Sequence, residues 1–69
     1  MMPFHSRDFP AALAFARRES FQQRRRSCVL LDSKQACLYV LTGPHQDFLV
    51  GREVVVTVTP DGKEILGAA

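Results

Sequence analysis

The chain divides near residue 27 into a helix-forming part and a strand-forming part, and this division limits the folds open to it. Residues 11–26 contain no glycine, no proline and no β-branched residue, and they are mostly Ala, Leu, Arg, Glu and Gln, which favour helices. The remainder alternates short apolar runs with turn residues and includes the run Val54-Val55-Val56-Thr57-Val58-Thr59, which is typical of a strand. We therefore predict an α+β fold in which one N-terminal helix packs on an antiparallel sheet.

The limits of the predicted helix follow from Pro10 and from the change of composition at Ser27. Proline disfavours a helical conformation at the preceding residue and suits the first turn of a helix. The helix is therefore predicted over residues 10–26, after an irregular leader at residues 1–9, with the sheet within residues 28–66. Together the 69 residues form a single small domain, which buries only about 60% of the surface of its unfolded chain.

Two β-hairpins are predicted after the helix, and they give a sheet of three or four strands. The apolar runs 28–31 and 36–41 flank the polar turn 32–35, and residues 42–47 are typical of a loop. The strand at residues 52–59 is joined to residues 63–66 through Thr59-Pro60-Asp61-Gly62. This sequence suits a type I turn with Gly62 in the left-handed region.

Both faces of the first hairpin are apolar, so one helix leaves a face of the sheet without cover. Side chains alternate between the two faces of a strand, so the residues of the first hairpin divide into two groups. One face carries Val29, Leu31, Ala36, Leu38 and Val40, and the other carries Cys28, Leu30, Cys37, Tyr39 and Leu41. The same alternation places Val54, Val56 and Val58 together. A second copy of the chain is the simplest cover for the second face, so we expect a homodimer. The alternative cover is the leader together with Phe48 and Leu49.

Six of the nine basic residues lie in the first 27 residues, against two acids. At about 100° per residue, Ala12, Leu13, Phe15 and Ala16 fall on one side of the predicted helix. Arg17, Arg18, Arg24 and Arg25 fall on the other side within about 120°, with Phe21 in the middle. Arginines around an aromatic ring suit a phosphate backbone and a stacked base. The alternative is that the charges only complement the helix dipole and that Phe21 packs on the sheet.

Residues able to support catalysis or metal binding occur without the spacing that such sites require. Cys28, Cys37, His5 and His45 match no short zinc motif, and the sequence contains no phosphate-binding glycine loop and no evident carboxylate pair. We therefore predict no metal, no cofactor and no enzymatic activity, with the cysteines as free thiols in a cytoplasmic protein. No segment approaches the roughly 20 apolar residues of a membrane-spanning helix, so no membrane partner is expected.

Two functional hypotheses follow. The leading hypothesis is a non-enzymatic protein-interaction module that self-associates or binds an unidentified protein through a sheet edge or an apolar face, with predicted contacts at Tyr39, Phe48, Leu49 and Val55. The alternative is a small nucleic-acid-binding regulator that uses Arg17, Arg18, Phe21, Arg24 and Arg25. Ion pairs from these arginines to Glu53, Asp61 and Glu64 would speak against the alternative.

Overall fold

A computed structural model of the chain describes residues 2–43 and 52–67. These residues form β1 (Met2–His5), α1 (Phe9–Gln23), β2 (Ser27–Asp32), β3 (Cys37–Thr42), β4 (Glu53–Val58) and β5 (Glu64–Leu66). The strands make one antiparallel sheet in the order β1-β3-β2-β4-β5, and α1 packs on one face of it. The predicted α+β architecture is confirmed, but the sheet has five strands instead of the predicted three or four.

The fifth strand is β1, which was predicted as part of an irregular leader. It pairs with the outer edge of β3, with Phe4 opposite Leu38. Phe4 packs beside α1, and its ring centroid lies 5.8 Å from that of Phe15. A four-residue strand is too short to show a distinct alternation in the sequence. Its pairing depends on β3, more than thirty residues further along the chain.

The helix ends at Gln23 and not at the predicted residue 26. Arg24 has φ 57° and ψ 37°, the left-handed conformation that often ends helices. The N–H groups of Arg24 and Arg25 both donate to the carbonyl of Ser20. The chain reverses here so that β2 begins at Ser27. Residues 24–26 therefore lie beyond the helix, although their composition favours it. The predicted common side of the helix for Arg17, Arg18, Arg24 and Arg25 is thus wrong for Arg24 and Arg25, because these two residues are not part of α1.

The first hairpin is formed by β2 and β3, with a turn at residues 33–36. The Asp32 carboxylate accepts hydrogen bonds from the N–H groups of residues 34 and 35 at 3.2 and 3.3 Å, which stabilises the turn. Cys28 lies opposite Leu41, and Cys37 lies opposite Asp32. Both cysteines are free thiols, because this register does not bring them together.

A β-bulge in β4 changes which of its side chains face α1. Val29 lies opposite Val56, whereas the next residue of β2, Leu30, lies opposite Val54, so Val55 is the extra residue. Val54 therefore shares the face of Leu30, and Val55 packs against the helix-side core. The predicted common face of Val54, Val56 and Val58 is wrong for Val54, because the bulge shifts the alternation by one residue.

The main core lies between α1 and the sheet. Ala12 and Ala16 are fully buried, and their small side chains allow the helix to approach the strands closely. The remaining buried members come from the face predicted for the first hairpin and from β4: Val29, Leu38, Val40, Val56 and Val58. The amphipathic pattern of the helix therefore identified its packed side.

The opposite face of the sheet is also buried at its centre. Leu30 and Leu41 are 0% and 7% exposed within a single copy of the chain. The predicted alternative cover for this face was the leader together with Phe48 and Leu49. The leader instead forms β1 at the edge of the sheet, with Phe4 packed on the helix-side core, so this part of the prediction is wrong; Phe48 and Leu49 lie outside the described residues. The apolar face from which a homodimer was expected is thus not open at Leu30 and Leu41, and the homodimer stays a prediction.

Candidate nucleic-acid interface

The second half of α1 and the residues after it present an exposed cationic surface. We define the arginine surface as the predicted set Arg17, Arg18, Phe21, Arg24 and Arg25, all of which are exposed. The rotation of the helix is set by Ala12, Ala16 and Ser20, which are buried against the sheet. Because these residues recur every four positions, Arg17, Arg18 and Phe21 point away from it.

One of the four arginines forms an ion pair with a described carboxylate. Arg17 Nε lies 2.5 Å from Oε2 of Glu64 on β5, and this hydrogen bond raises the pKa of Arg17. Within residues 2–43 and 52–67, no carboxylate lies within 4.0 Å of the guanidinium groups of Arg18, Arg24 or Arg25. Of the ion pairs that would contradict the nucleic-acid hypothesis, the described residues therefore form only the one between Arg17 and Glu64.

Phe21 is not packed on the sheet: 67% of its surface is exposed. The guanidinium carbon of Arg24 lies 6.0 Å from the centre of the Phe21 ring, which is cation–π distance. The guanidinium of Arg18 instead lies 5.8 Å from the ring of Phe15. The structure thus brings Arg24 to Phe21, while Arg18 is directed towards Phe15.

Ser20 positions the residues that follow the helix. It is fully buried, and its Oγ lies 2.5 Å from the carbonyl oxygen of Arg25 and 3.2 Å from that of Val58 in β4. This role of Ser20 was not predicted from the sequence, because a single serine in an arginine-rich run has no distinctive pattern. Its position four residues after Ala16, on the buried stripe of the helix, was the signal that could have found it.

A cleft of about 370 Å³ lies beside Phe21. We call it the Phe21 cleft, and its lining consists of Arg17 and Phe21 from α1 and residues 58–62 from the end of β4 and the turn that follows. The helix and the β4–β5 turn therefore form its two walls. An exposed aromatic ring forms part of one wall, and Pro60 forms part of the other.

The β4–β5 turn places a carboxylate in the Phe21 cleft. The N–H of Gly62 donates to the carbonyl of Thr59 at 3.0 Å, and Gly62 has φ 92°, as the predicted turn requires. The hydroxyl of Thr59 donates to Asp61 Oδ1, and this hydrogen bond lowers the pKa of Asp61. Asp61 is therefore a charged hydrogen-bond acceptor at neutral pH.

A second cleft, of about 320 Å³, lies on the other side of α1. It is lined by Met2, Phe15, Glu19, Gln23 and residues 40–42. Gln23 Nε2 donates to Glu19 Oε1 at 2.7 Å, so a carboxylate lies on this wall. None of the arginine-surface residues lines this cleft, and it does not extend the cationic surface.

The residues predicted for protein contacts lie in different settings. Tyr39 is half-buried, and the guanidinium carbon of Arg52 lies 4.8 Å from its ring centre. Val55 is half-buried against the core. Phe48 and Leu49 lie outside the described residues. Of the residues predicted to contact a protein partner, Tyr39 and Val55 are described, and neither is a fully exposed apolar side chain.

The outer strands of the sheet have features that hinder the addition of another strand. In β1, Pro3 has no N–H to donate, and β5 has only three residues, the first of which is Glu64. Short edge strands, prolines and charges reduce edge-to-edge pairing. However, Ile65 and Leu66 of β5 are 41% and 82% exposed, so this edge carries apolar surface.

Over the described ranges 2–43 and 52–67, no three His, Cys, Asp or Glu side chains are grouped so as to hold a metal ion. In the same part of the chain, no helix has the length and apolarity needed to cross a membrane. Comparisons of the chain with protein-family models, with curated proteins and with solved structures found no match.

Proposed function

We propose that this chain is a small non-enzymatic binding module that contacts the phosphate backbone of nucleic acid through its arginine surface. The observation that carries the proposal is the exposure of Arg18, Arg24 and Arg25, with no described carboxylate within ion-pair distance. Arg24 also lies at cation–π distance from the exposed Phe21 ring. Guanidinium groups match phosphate in charge and geometry. Several such contacts give affinity for the backbone without reading the base sequence.

A cytoplasmic location is part of this proposal. It is supported by Cys28 and Cys37, which are free thiols held apart by the register of β2 and β3. Free thiols are typical of reducing compartments, where nucleic acids are also found.

The proposal is tested by titrating the protein into labelled mixed-sequence single-stranded DNA and RNA while fluorescence anisotropy is recorded at several salt concentrations. The logarithm of the affinity should fall linearly with the logarithm of the salt concentration, with a slope of about −0.7 for each phosphate contacted. Absence of binding at low salt, or binding that does not depend on salt, would contradict the proposal.

A matched pair of double variants separates the arginine surface from net charge. Arg18→Glu with Arg25→Glu should abolish most of the binding, whereas Arg7→Glu with Lys34→Glu should retain it, although both variants have the same net charge. Arg7 and Lys34 lie near the start of α1, where Ser6 N–H donates to the carbonyl of residue 36 at 3.1 Å. Arg25 lies beyond the other end of this helix, about 20 Å away. Equal losses in both variants would refute a localised arginine surface.

The second candidate function is the predicted protein-interaction module, acting by self-association or on an unidentified protein partner. It is supported by the exposure of Ile65 and Leu66 on β5. We place it second because the outer strands hinder strand addition and because Leu30 and Leu41 are buried. Sedimentation equilibrium of the protein and of Leu66→Asp tests it: a dimer that the substitution dissociates would support it, and a monomer at all concentrations would exclude self-association.

A further inference from the structure

We infer that the Phe21 cleft accepts one base of a bound single strand and favours bases that carry an exocyclic amino group. This inference rests on the proposed nucleic-acid contact and adds base selectivity to it. The cleft combines an exposed ring for stacking with a carboxylate acceptor, and the guanidinium of Arg24, outside its lining, lies beside the same ring. In this site Phe21 stacks on the face of the base, Arg24 neutralises the neighbouring phosphate, and Asp61 accepts a hydrogen bond from the edge of the base.

The stacking part of the site is Phe21. Every base has a π face that stacks on an aromatic side chain, and the Phe21 ring is 67% exposed beside a cleft of about 370 Å³. Clefts of about 300–1,000 Å³ are typical of small-molecule sites. The guanidinium carbon of Arg24, 6.0 Å from the ring centre, is placed to neutralise a phosphate next to the stacked base. A base within a duplex is already stacked on its neighbours, so the ligand is a single strand.

The selective part of the site is Asp61. A charged carboxylate only accepts hydrogen bonds and has about four acceptor positions on its two oxygens. The Thr59 hydroxyl donates to Oδ1, and the backbone N–H groups of Asp61 and Lys63 also stabilise the charged form; the side chain is exposed, so a ligand can donate to a further acceptor position. The N4 amino group of cytosine donates to such an acceptor, whereas a carbonyl oxygen stands at this position of uracil and is repelled by it. Asp61 is exposed, and a Cβ atom added at its neighbour Gly62 would meet nothing within 4 Å.

The test compares oligo-dC and oligo-dU of about 12 nucleotides, a length within the usual site size of single-strand-binding domains. The two ligands have the same backbone and differ in the edge of the base. We expect about tenfold tighter binding of oligo-dC, the lower end of discrimination by hydrogen bonds to a base. Asp61→Asn replaces a pure acceptor with an amide that also donates, and it should reduce the ratio of the two affinities to about one.

Phe21→Leu removes the stacking surface and should weaken the binding of both oligonucleotides about tenfold. Leu66→Ala is the matched control, because Leu66 is also an exposed apolar side chain and does not line the cleft. It should leave both affinities unchanged. Circular dichroism verifies that each variant is folded.

The outcomes separate this inference from the function on which it rests. Equal affinity for oligo-dC and oligo-dU overturns the selective cleft, and it leaves the proposed function intact if binding still requires Arg18 and Arg25. Unchanged binding by Phe21→Leu likewise overturns the stacking site alone. Absence of binding to both oligonucleotides at low salt overturns the proposed function and the inference together.

Discussion

Replacing Ser20 with alanine is expected to destabilise the protein by loosening the end of α1 from β4. Ser20 is fully buried, and its hydroxyl lies 2.5 Å from the carbonyl oxygen of Arg25 and 3.2 Å from that of Val58. Alanine fits in the same space but has no group to donate. The substitution therefore removes the one proton that the hydroxyl can donate to either carbonyl, Arg25 after α1 or Val58 in β4, without creating a steric conflict.

The expected loss is about 1–2 kcal/mol of the free energy of unfolding. Leaving a buried acceptor without its donor costs about 1–3 kcal/mol. The better helix propensity of alanine over serine returns about 0.5 kcal/mol. A single core in a chain of this size supplies roughly 3–5 kcal/mol, so the loss is a large fraction of the total. For a domain of 60–100 residues, it corresponds to a fall in Tm of about 5–15 °C.

Urea unfolding followed by circular dichroism measures this change. Ser33→Ala is the matched control, because Ser33 is exposed in the β2–β3 turn, and surface changes of this kind usually alter stability by less than about 0.5 kcal/mol. Equal stabilities of Ser20→Ala and the parent protein would refute the role of the buried hydroxyl. If Ser20 also positions Arg25 for binding, the folded variant should bind nucleic acid more weakly.

Two further predictions concern Arg24, which has a left-handed conformation, and Asp61 in the β4–β5 turn, whose pKa is lowered. Arg24→Gly should raise the free energy of unfolding by about 0.5–1 kcal/mol, because glycine adopts positive φ without strain. Arg18→Gly, inside the helix, should lower the free energy of unfolding by about 1 kcal/mol. Thermal unfolding that shows both variants stabilised, or both destabilised, would contradict this. The lowered pKa of Asp61 means that its contribution to stability is present above the ordinary aspartate pKa and is lost as the pH falls through the lowered value. Thr59→Val should raise the pKa of Asp61 towards its ordinary value, and an unchanged pKa in an NMR titration would refute the role of the hydroxyl.

The parts of the fold that depend on neighbouring residues could be predicted from the sequence. The four-residue spacing of Ala12 and Ala16 identified the packed side of α1, because the period of the helix fixes which residues share a side. The turn around Gly62 followed from the requirement for positive φ at that position. Both features are encoded within a few consecutive residues.

The features that the sequence could not show depend on contacts between distant segments. Arg24 ends the helix where β2 must begin, although a run of arginines carries no stop signal of its own. Met2–His5 becomes a strand only because β3 offers an edge for it. The bulge at Val55 is hidden because Val54, Val55 and Val56 are identical, so the alternation appears unbroken whichever of them is the extra residue.

The candidate site was predicted in part for the same reason. Exposure of Arg17, Arg18 and Phe21 follows from the helix period, so it could be predicted. Asp61 was predicted as a turn residue and as a possible ion-pair partner of the arginines, but not as part of a binding cleft, because its place beside Phe21 depends on how the β4–β5 hairpin lies against α1. A cleft between two elements distant in the chain has no local pattern that could reveal it.

The bulge in β4 also determines where the chain length can change without disturbing the pairing. Glu53 and Val54 are paired with β2 on one side of Val55, and Val56 is paired on the other side. Deletion of Val55 would leave each of these residues opposite its present partner in β2 and on its present face, since two residues now occupy the space of one. It would remove the Val55 carbonyl that accepts from the N–H of Gly67 at 2.8 Å. Because residues 54–56 are all valine, deletion of Val56 instead of Val55 would give the same sequence. One codon of this valine run can therefore be lost without a change in the register of β4 against β2.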